Sequence, residues 1–120
     1  MTQERLQLGR WGEQQAVRYL RRRLYRVLEV NYRSRLGEVD IIARRGSVLA
    51  FIEVKTRRQT LFGAAQEAVT LRKQRQILRV AQGYLQQSAL DLQPRFDVIS
   101  VMAEGQRVRI DHIEDAFRPD

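Results

Sequence analysis

Cysteine is absent from this 120-residue sequence, and histidine occurs once, at His112. Without cysteine the chain has no disulfides, no thiolate nucleophile and none of the usual zinc sites, and one histidine cannot form a histidine cluster around a metal. Any metal must therefore be bound by oxygen atoms. His112 is expected to have a structural or surface role.

Long apolar runs are absent as well. No stretch of about 18 consecutive apolar residues occurs, which argues against a transmembrane helix, and the N-terminal segment is too polar for a signal peptide. We therefore expect a cytoplasmic protein without a membrane partner. The chain has only two prolines and no repeat or flexible linker, so residues 1–120 are expected to form a single domain.

Acidic residues are few relative to basic ones. The chain has 22 lysines and arginines against 14 acidic residues, a formal net charge of +8, and only two of the 22 are lysines. Basic side chains that neutralise phosphates release condensed counterions, and arginine binds phosphate through two parallel hydrogen bonds. The charge therefore favours nucleic acid as the partner, although arginine-rich codon usage would give the same composition.

Hydrophobic periodicity predicts an α/β fold with the element order α-β-β-β-α-β-β. The predicted elements are helices over residues 3–23 and 70–87 and strands over 26–33, 37–44, 48–56, 96–102 and 107–113. Glu13 lies on the inner stripe of the first helix, and Thr70 is placed to cap the second. Because a helix connects the third and fourth strands, those two strands are expected to be parallel.

Carboxylates interrupt the apolar rows of the predicted central hairpin. With a symmetric turn around Arg45-Gly46, the expected cross-strand pairs are Ile42 with Leu49, Asp40 with Phe51, and Glu38 with Glu53. Asp40 and Glu53 would then be diagonal neighbours on one face, with Lys55 two residues further along the same row. Glu38 is expected to support this acidic cluster.

Such a cluster has a chemical interpretation. Unpaired carboxylates at the edge of a core are costly and repel each other, and a divalent cation would relieve both effects. Mg²⁺ suits one or two carboxylates together with a substrate phosphate, whose hydrolysis it assists by polarising the phosphate and a water molecule. An isolated Glu-x-Lys is more often a solvated strand end, but Asp40 and Glu13 favour a three-acid site in which Lys55 assists the nucleophile.

The same residues carry a resemblance to a known superfamily. Glu13 on a helix, followed by "GEVD" and "EVKTR", resembles the PD-(D/E)xK nucleases, in the branch that contains Holliday-junction resolvases; Val39 stands where the motif name has proline. More narrowly, the chain resembles the bacterial YraN family. The stretches that carry this resemblance are "WGEQQAVRYL", "NYRSRLGEVDIIA", "FIEVKTRR", "GAAQEAV", "AQGYL", "RFDVISV" and "IDHIEDAF".

The resemblance implies a restriction-endonuclease-like α-β-β-β-α-β core, with a central mixed sheet flanked by helices and a nuclease centre that uses Mg²⁺ or Mn²⁺. It implies that Asp40, Glu53 and Glu13 bind the metal and that Lys55 is the catalytic lysine. Because junction-cleaving relatives cut two strands symmetrically, it also implies a homodimer.

Several basic residues near these elements are candidates for contacts with nucleic-acid phosphates. The candidates are Arg33, Arg35, Arg57, Arg58, Arg72 and Lys73. Trp11 and Tyr32 would suit base stacking, but their apolar neighbours favour core positions. The sequence leaves open whether the protein cleaves structured or branched DNA in repair or recombination, binds nucleic acid without catalysis, or acts on RNA.

Overall fold

The computed structural model describes residues 2–58 and 69–118. The stretch "GAAQEAV", apart from Val69, and Pro119 lie outside the described residues. The elements are α1 (Gln3–Arg22), β1 (Arg26–Ser34), β2 (Gly37–Arg45), β3 (Val48–Arg58), α2 (Leu71–Gln86), β4 (Gln93–Glu104) and β5 (Arg107–Ile113). The predicted element order is confirmed, and the largest difference in bounds is at β4, which starts at Gln93 rather than Phe96.

The five strands form one sheet in the order β1-β2-β3-β4-β5. Neighbouring strands are antiparallel except β3 and β4, which are parallel and joined through α2. This confirms the parallel pair that the crossover predicted. The protein therefore has an α/β fold with a mixed sheet, and its first six elements follow the α-β-β-β-α-β order.

Local sequence accounts for where the helices begin. The Thr2 side chain accepts a hydrogen bond from the Arg5 backbone N–H at 3.3 Å, and Thr70 accepts one from the Lys73 N–H at 3.2 Å. Each threonine thus caps one of the free N–H groups of a first turn. The predicted capping role of Thr70 is confirmed.

The two helices cover opposite faces of the sheet. The α1-side core consists of Ala16, Leu20, Tyr25, Ile41, Ala43, Ala50, Ile52, Ile99 and Val101. The α2-side core consists of Val39, Ile42, Leu49, Phe51, Val69, Ile77, Val80, Ala81 and Phe96. Tyr32 packs edge-on against Tyr84 beside the α2-side core, as its core prediction requires. Neither described helix is long and apolar enough to cross a membrane.

The inner stripe predicted for α1 by three- and four-residue spacing, from Leu6 through Glu13 to Leu24, is wrong at both ends. Leu6 is 41% exposed and Leu24 is 83% exposed, although both fit the three- and four-residue spacing. Leu24 lies beyond the helix end, in a turn with φ of 68°, so the helical period does not apply to it. The sequence pattern located the buried middle of the helix but not its ends.

Candidate active site

The central hairpin has a different register from the predicted one. Its turn consists of Gly46 and Ser47, and Ile42 pairs with Phe51 rather than with Leu49. The turn still has an even number of residues, so each side chain stays on the predicted face of the hairpin. Each cross-strand pair is nevertheless displaced by two residues. The β2–β3 ladder ends at Ile41 and Ile52, where the two strands separate.

This displacement changes the neighbours of the acidic residues. Continuing the observed register by one residue places Asp40 opposite Glu53, not opposite Phe51. The predicted pairing of Glu38 with Glu53 is also wrong, because this register places Glu53 opposite Asp40 and the β2–β3 ladder ends before Glu38. On the other side of β2, Glu38 pairs with Arg33 of β1. Asp40 and Glu53 therefore stand directly across the point where β2 and β3 part.

Asp40 replaces the missing ladder contact with its side chain. Its Oδ2 accepts a hydrogen bond from the Val54 backbone N–H at 2.8 Å. Strict alternation fails around it, because Val39 and Ile42 both pack in the α2-side core while Ile41 packs in the α1-side core. The carboxylate is thus fixed at the strand fork by backbone geometry that a regular hairpin would not have.

Glu53 is the buried acid of the site, with 7% exposure. Burial, a side-chain hydrogen bond with Asp40 and the charge of Asp40 raise the pKa of Glu53 to about 8, although Lys73 and Lys55 act in the opposite direction. An acid with that pKa keeps its proton at neutral pH and donates it to the neighbouring carboxylate. The two carboxyl groups therefore form a close, proton-sharing pair.

Two lysines approach this pair from different elements. Lys55 lies two residues beyond Glu53 on β3, hence on the same face, and its charge acts on Glu53. Lys73, in the first turn of α2, also acts on Glu53, and its Nζ lies 3.9 Å from Glu38 Oε1. Glu38 in turn has its Oε2 3.6 Å from Arg33 Nε, so an ion-pair chain borders the carboxylates.

Glu13 reaches the site from α1. Its Oε1 accepts a hydrogen bond from Asn31 Nδ2 at 2.9 Å. Burial raises the pKa of Glu13, the Asn31 hydrogen bond lowers it, and the negative charge of Asp40 raises it again. The charge of Asp40 therefore acts on Glu13, and the hydrogen bond from Asn31 of β1 holds the Glu13 side chain in place.

The three acids do not form one compact ligand group. In residues 2–58 and 69–118, no three side chains of aspartate, glutamate, histidine or cysteine converge closely enough to hold a metal ion. The structure brings Asp40 and Glu53 into direct contact and keeps Glu13 at a greater separation. Two carboxylates are nevertheless the number that Mg²⁺ commonly takes from a protein when substrate phosphate supplies further oxygens.

Close packing places α1 at this edge of the sheet. A Cβ on Gly12 would lie 1.9 Å from Thr56 Oγ1, so the helix backbone approaches β3 more closely than any residue with a side chain allows. Gly12 precedes Glu13, and Thr56 follows Lys55. The absence of one side chain thus allows the helix-borne acid to approach the end of β3.

The predicted phosphate contacts lie on three elements. Arg33 and Arg35 belong to the end of β1 and its turn, Arg72 and Lys73 to the first turn of α2, and Arg57 and Arg58 to the end of β3. Most of their side chains are exposed, while Arg57 and Lys73 are half-buried. Of these, Arg33 and Lys73 are the ones linked to the site through Glu38.

The whole chain is similar to a family of bacterial proteins. The model of "Uncharacterised protein family UPF0102" matches residues 12–101, and a "UPF0102 protein" from Syntrophotalea carbinolica is 53% identical over 100% of this chain and 98% of its own length. The chain belongs to the UPF0102 family. UPF0102 proteins from Geobacter metallireducens and Christiangramia forsetii are 50% and 42% identical, covering 92% and 95% of this chain and 91% and 96% of theirs. The predicted family, YraN, is thereby confirmed.

This UPF0102 protein also contains a buried polar network that the sequence analysis missed. Asp97 is fully buried on β4 and accepts hydrogen bonds from Arg95 Nε at 2.9 Å, from Arg95 Nη2 at 2.7 Å and from the Asp115 backbone N–H at 3.0 Å. His112 Nε2 lies 2.8 Å from Asp97 Oδ2, and its Nδ1 lies 3.1 Å from the Tyr19 hydroxyl. An aspartate inside the apolar run "FDVISV" was the available signal.

The network is structural in character. Burial alone would raise the pKa of Asp97, but the hydrogen bonds from His112, Arg95 and Asp115 together lower it below its usual value. A carboxylate accepts only, so a neutral His112 donates from Nε2 and accepts from Tyr19 at Nδ1. The structural role expected for His112 agrees with these contacts, which join β4 and β5 to α1.

Proposed function

We propose that this protein is a PD-(D/E)xK-type endonuclease that uses Mg²⁺ or Mn²⁺ to hydrolyse phosphodiester bonds of structured or branched DNA in repair or recombination. One observation carries the proposal: the buried Glu53 stands across from Asp40 at the strand fork, where Asp40 is held by the Val54 N–H, and Lys55 follows on the same face as Glu53. Burial and the charge of Asp40 raise the pKa of Glu53, because a second negative charge at this place is costly without a cation.

The donor set suits a hard divalent cation. Both groups are carboxylates, and a bound cation would displace the shared proton and allow both to ionise. Asp40 and Glu53 would hold the ion, with Glu13 as the helix-borne acid of the same centre. When bound, Mg²⁺ supplies Lewis-acid polarisation of the scissile phosphate and of the attacking water.

The remaining residues of the site bind and orient the substrate. Lys55 would donate a hydrogen bond to the nucleophilic water or to a phosphate oxygen, where it offsets the negative charge that develops during attack. Lys73 lies near the same carboxylates and would contact an adjacent phosphate. Asn31 holds Glu13 in place through its 2.9 Å hydrogen bond.

The basic surface supports DNA as the substrate. The chain carries a net charge of +8, and the exposed arginines at the ends of β1 and β3 and in the first turn of α2 flank the site. Phosphate contacts by these arginines would position the DNA without reading its sequence. We further propose that the enzyme acts in the cytoplasm and as a homodimer that cuts two strands of a junction.

A panel of DNA structures tests the proposal. Four-way junctions, flaps, single strands and duplexes are incubated with the purified protein in Mg²⁺, Mn²⁺ or EDTA. We expect metal-dependent nicking that is reduced at least about 100-fold in Asp40→Ala and Lys55→Ala, since each removes a group that acts on the reacting atoms. Asp91→Asn, which changes an exposed loop carboxylate, is the matched control and should cleave normally.

The outcomes of this experiment distinguish a nuclease from a protein that only binds nucleic acid. Equal cleavage by the wild type, Asp40→Ala and Lys55→Ala would identify a contaminating nuclease and refute the assignment. Salt-sensitive DNA binding without cleavage, together with no Mg²⁺ binding by calorimetry, would instead favour a non-catalytic nucleic-acid-binding protein. Matched RNA substrates in the same panel test the preference for DNA.

A further inference from the structure

An open groove of about 880 Å³ lies at the end of β3, on the side of the sheet that α1 covers. It is bordered by the N-terminal half of α1, the end of β3 and the turn that joins β4 to β5. Its lining residues include Leu8, Trp11, Arg58, Gln106 and Arg107. The groove therefore combines one large aromatic side chain with two guanidinium groups.

Trp11 has one buried side and one side on the groove. The ring packs against the α1-side core, as the sequence suggested, but the residue is only half-buried and also lines the groove. A tryptophan supported from below by a core and open above is a rigid flat platform. Such platforms stack readily on nucleobases, because every base has a flat aromatic face.

The two arginines at the groove are accessible to a negatively charged ligand. Arg58 and Arg107 are both exposed, and neither makes an ion pair with another side chain among residues 2–58 and 69–118. Among the described residues that line the groove, none is acidic. The groove is thus complementary to a ligand with a flat ring and a neighbouring negative charge.

We propose that this groove binds an unpaired nucleotide of DNA, with its base stacked on Trp11 and its flanking phosphates on Arg58 and Arg107. A paired base inside a duplex presents only its edges, so it cannot occupy a stacking platform in this way. The choice of DNA rests on the proposed nuclease function. The stacking site itself requires only an unpaired base and a phosphate.

The groove and the candidate active site share two elements but not one face. Trp11 lies two residues before Glu13 on α1, and Arg58 lies three residues after Lys55 on β3. Alternation therefore places Arg58 on the α1 side with Val54 and Thr56, whereas Glu53 and Lys55 belong to the other row of β3. A strand whose unpaired nucleotide occupies the groove would pass the end of β3 on its way to the carboxylates, and the groove would select DNA with single-stranded or unpaired positions.

Intrinsic fluorescence tests the groove directly, because Trp11 is the only tryptophan in the chain. Full-length Asp40→Asn protein in EDTA is titrated with a thymidine decanucleotide and with a ten-base-pair duplex, while the anisotropy of labelled DNA measures binding independently. We expect the decanucleotide to quench Trp11 and the duplex to leave its emission nearly unchanged. Binding of the decanucleotide by anisotropy without quenching would overturn the proposal.

Variants then relate the groove to affinity. Trp11→Leu is expected to weaken decanucleotide binding about tenfold, whereas Trp11→Phe, which keeps an aromatic face, should lose less than about threefold. Arg107→Gln should weaken binding more than Arg26→Gln, a matched loss of charge from the opposite edge strand. Thermal melting by circular dichroism identifies any misfolded variant. If a Trp11 variant misfolds, the comparison of Arg107→Gln with Arg26→Gln tests the proposal by itself. Equal effects of the two arginine changes would overturn the proposal.

These measurements are independent of the nuclease proposal. They use a variant expected to lack cleavage, without metal, so stacking is scored even when no protein form cleaves DNA. Quenching and a Trp11 effect without cleavage by the wild type would refute the nuclease and retain the groove. Cleavage by the wild type without quenching in the variant would retain the nuclease and refute the groove.

Discussion

Replacing Glu53 with glutamine should stabilise the metal-free protein at high pH. Burial and the neighbouring Asp40 raise the pKa of Glu53 from an ordinary value of 4.5 to about 8. Glutamine resembles the protonated acid in shape, carries no charge and still donates a hydrogen bond to Asp40. The substitution therefore removes the cost of ionising Glu53 while keeping the contact.

The sign and the size of the effect follow from linkage. The folded protein binds the Glu53 proton more tightly than the unfolded chain does, so the wild type is favoured at low pH and loses stability as the pH rises from about 4.5 to about 8. At about 1.4 kcal/mol for each tenfold change in the ionisation constant, the loss has an upper limit of about 5 kcal/mol. Water entry and relaxation at the strand fork reduce it, so we expect about 2 to 4 kcal/mol.

The assay is urea unfolding in EDTA, followed by far-ultraviolet circular dichroism at several pH values from 5 to 9. Glu53→Gln should match the wild type near pH 5 and exceed its free energy of unfolding above pH 8. Asp91→Asn controls for the loss of an exposed carboxylate and should follow the wild type throughout. Identical pH dependence of Glu53→Gln and the wild type would show that Glu53 ionises normally, and the reasoning about a proton-sharing pair would be wrong.

Three further substitutions test the packing of the fold. Gly12→Ala should destabilise the protein by about 1 to 3 kcal/mol in urea unfolding, because the new Cβ would lie 1.9 Å from Thr56 Oγ1. Gly9→Ala on the same helix meets nothing within 4 Å and should stabilise it by up to about 1 kcal/mol; equal effects would contradict the close approach. Asp97→Asn should lose about 3 kcal/mol in the same assay, because it leaves buried partners without their carboxylate, and a loss below about 1 kcal/mol would contradict that role.

The fold was predictable because its signals are local. Apolar residues recur every second residue in the strands and every three to four residues in the helices. A helix that connects two neighbouring strands of one sheet makes those strands parallel. Bounds were less accurate, as at Leu24, because the apolar period continues past the residue at which the helix ends. The length of a strand also depends on its pairing with neighbours. Pairing with β3 extends β4 by three residues before Phe96, to Gln93.

The site was predictable in membership but not in geometry. Asp40, Glu53 and Lys55 could be grouped because the parity of a hairpin depends only on whether its turn is even or odd. The register itself depends on which two residues form the turn, and Gly46-Ser47 was not distinguished from Arg45-Gly46. The separation of β2 and β3 was not predictable either, because a broken ladder leaves no period in the sequence.

Two irregular residues face each other across β1 and β2 at the site. Asn31 has φ of 53° within a strand, and the register places it opposite Asp40, where alternation fails on β2. A strained backbone residue costs on the order of 1 to 3 kcal/mol, and the raised pKa of Glu53 costs further stability as the pH rises above about 4.5. Packing the sheet requires neither feature, since a regular ladder with apolar residues at these positions would be more stable. The irregular backbone instead directs the Asn31 amide to Glu13 and the Asp40 carboxylate to Glu53. The protein therefore loses some stability at this place, and the same irregularity positions the proposed catalytic acids.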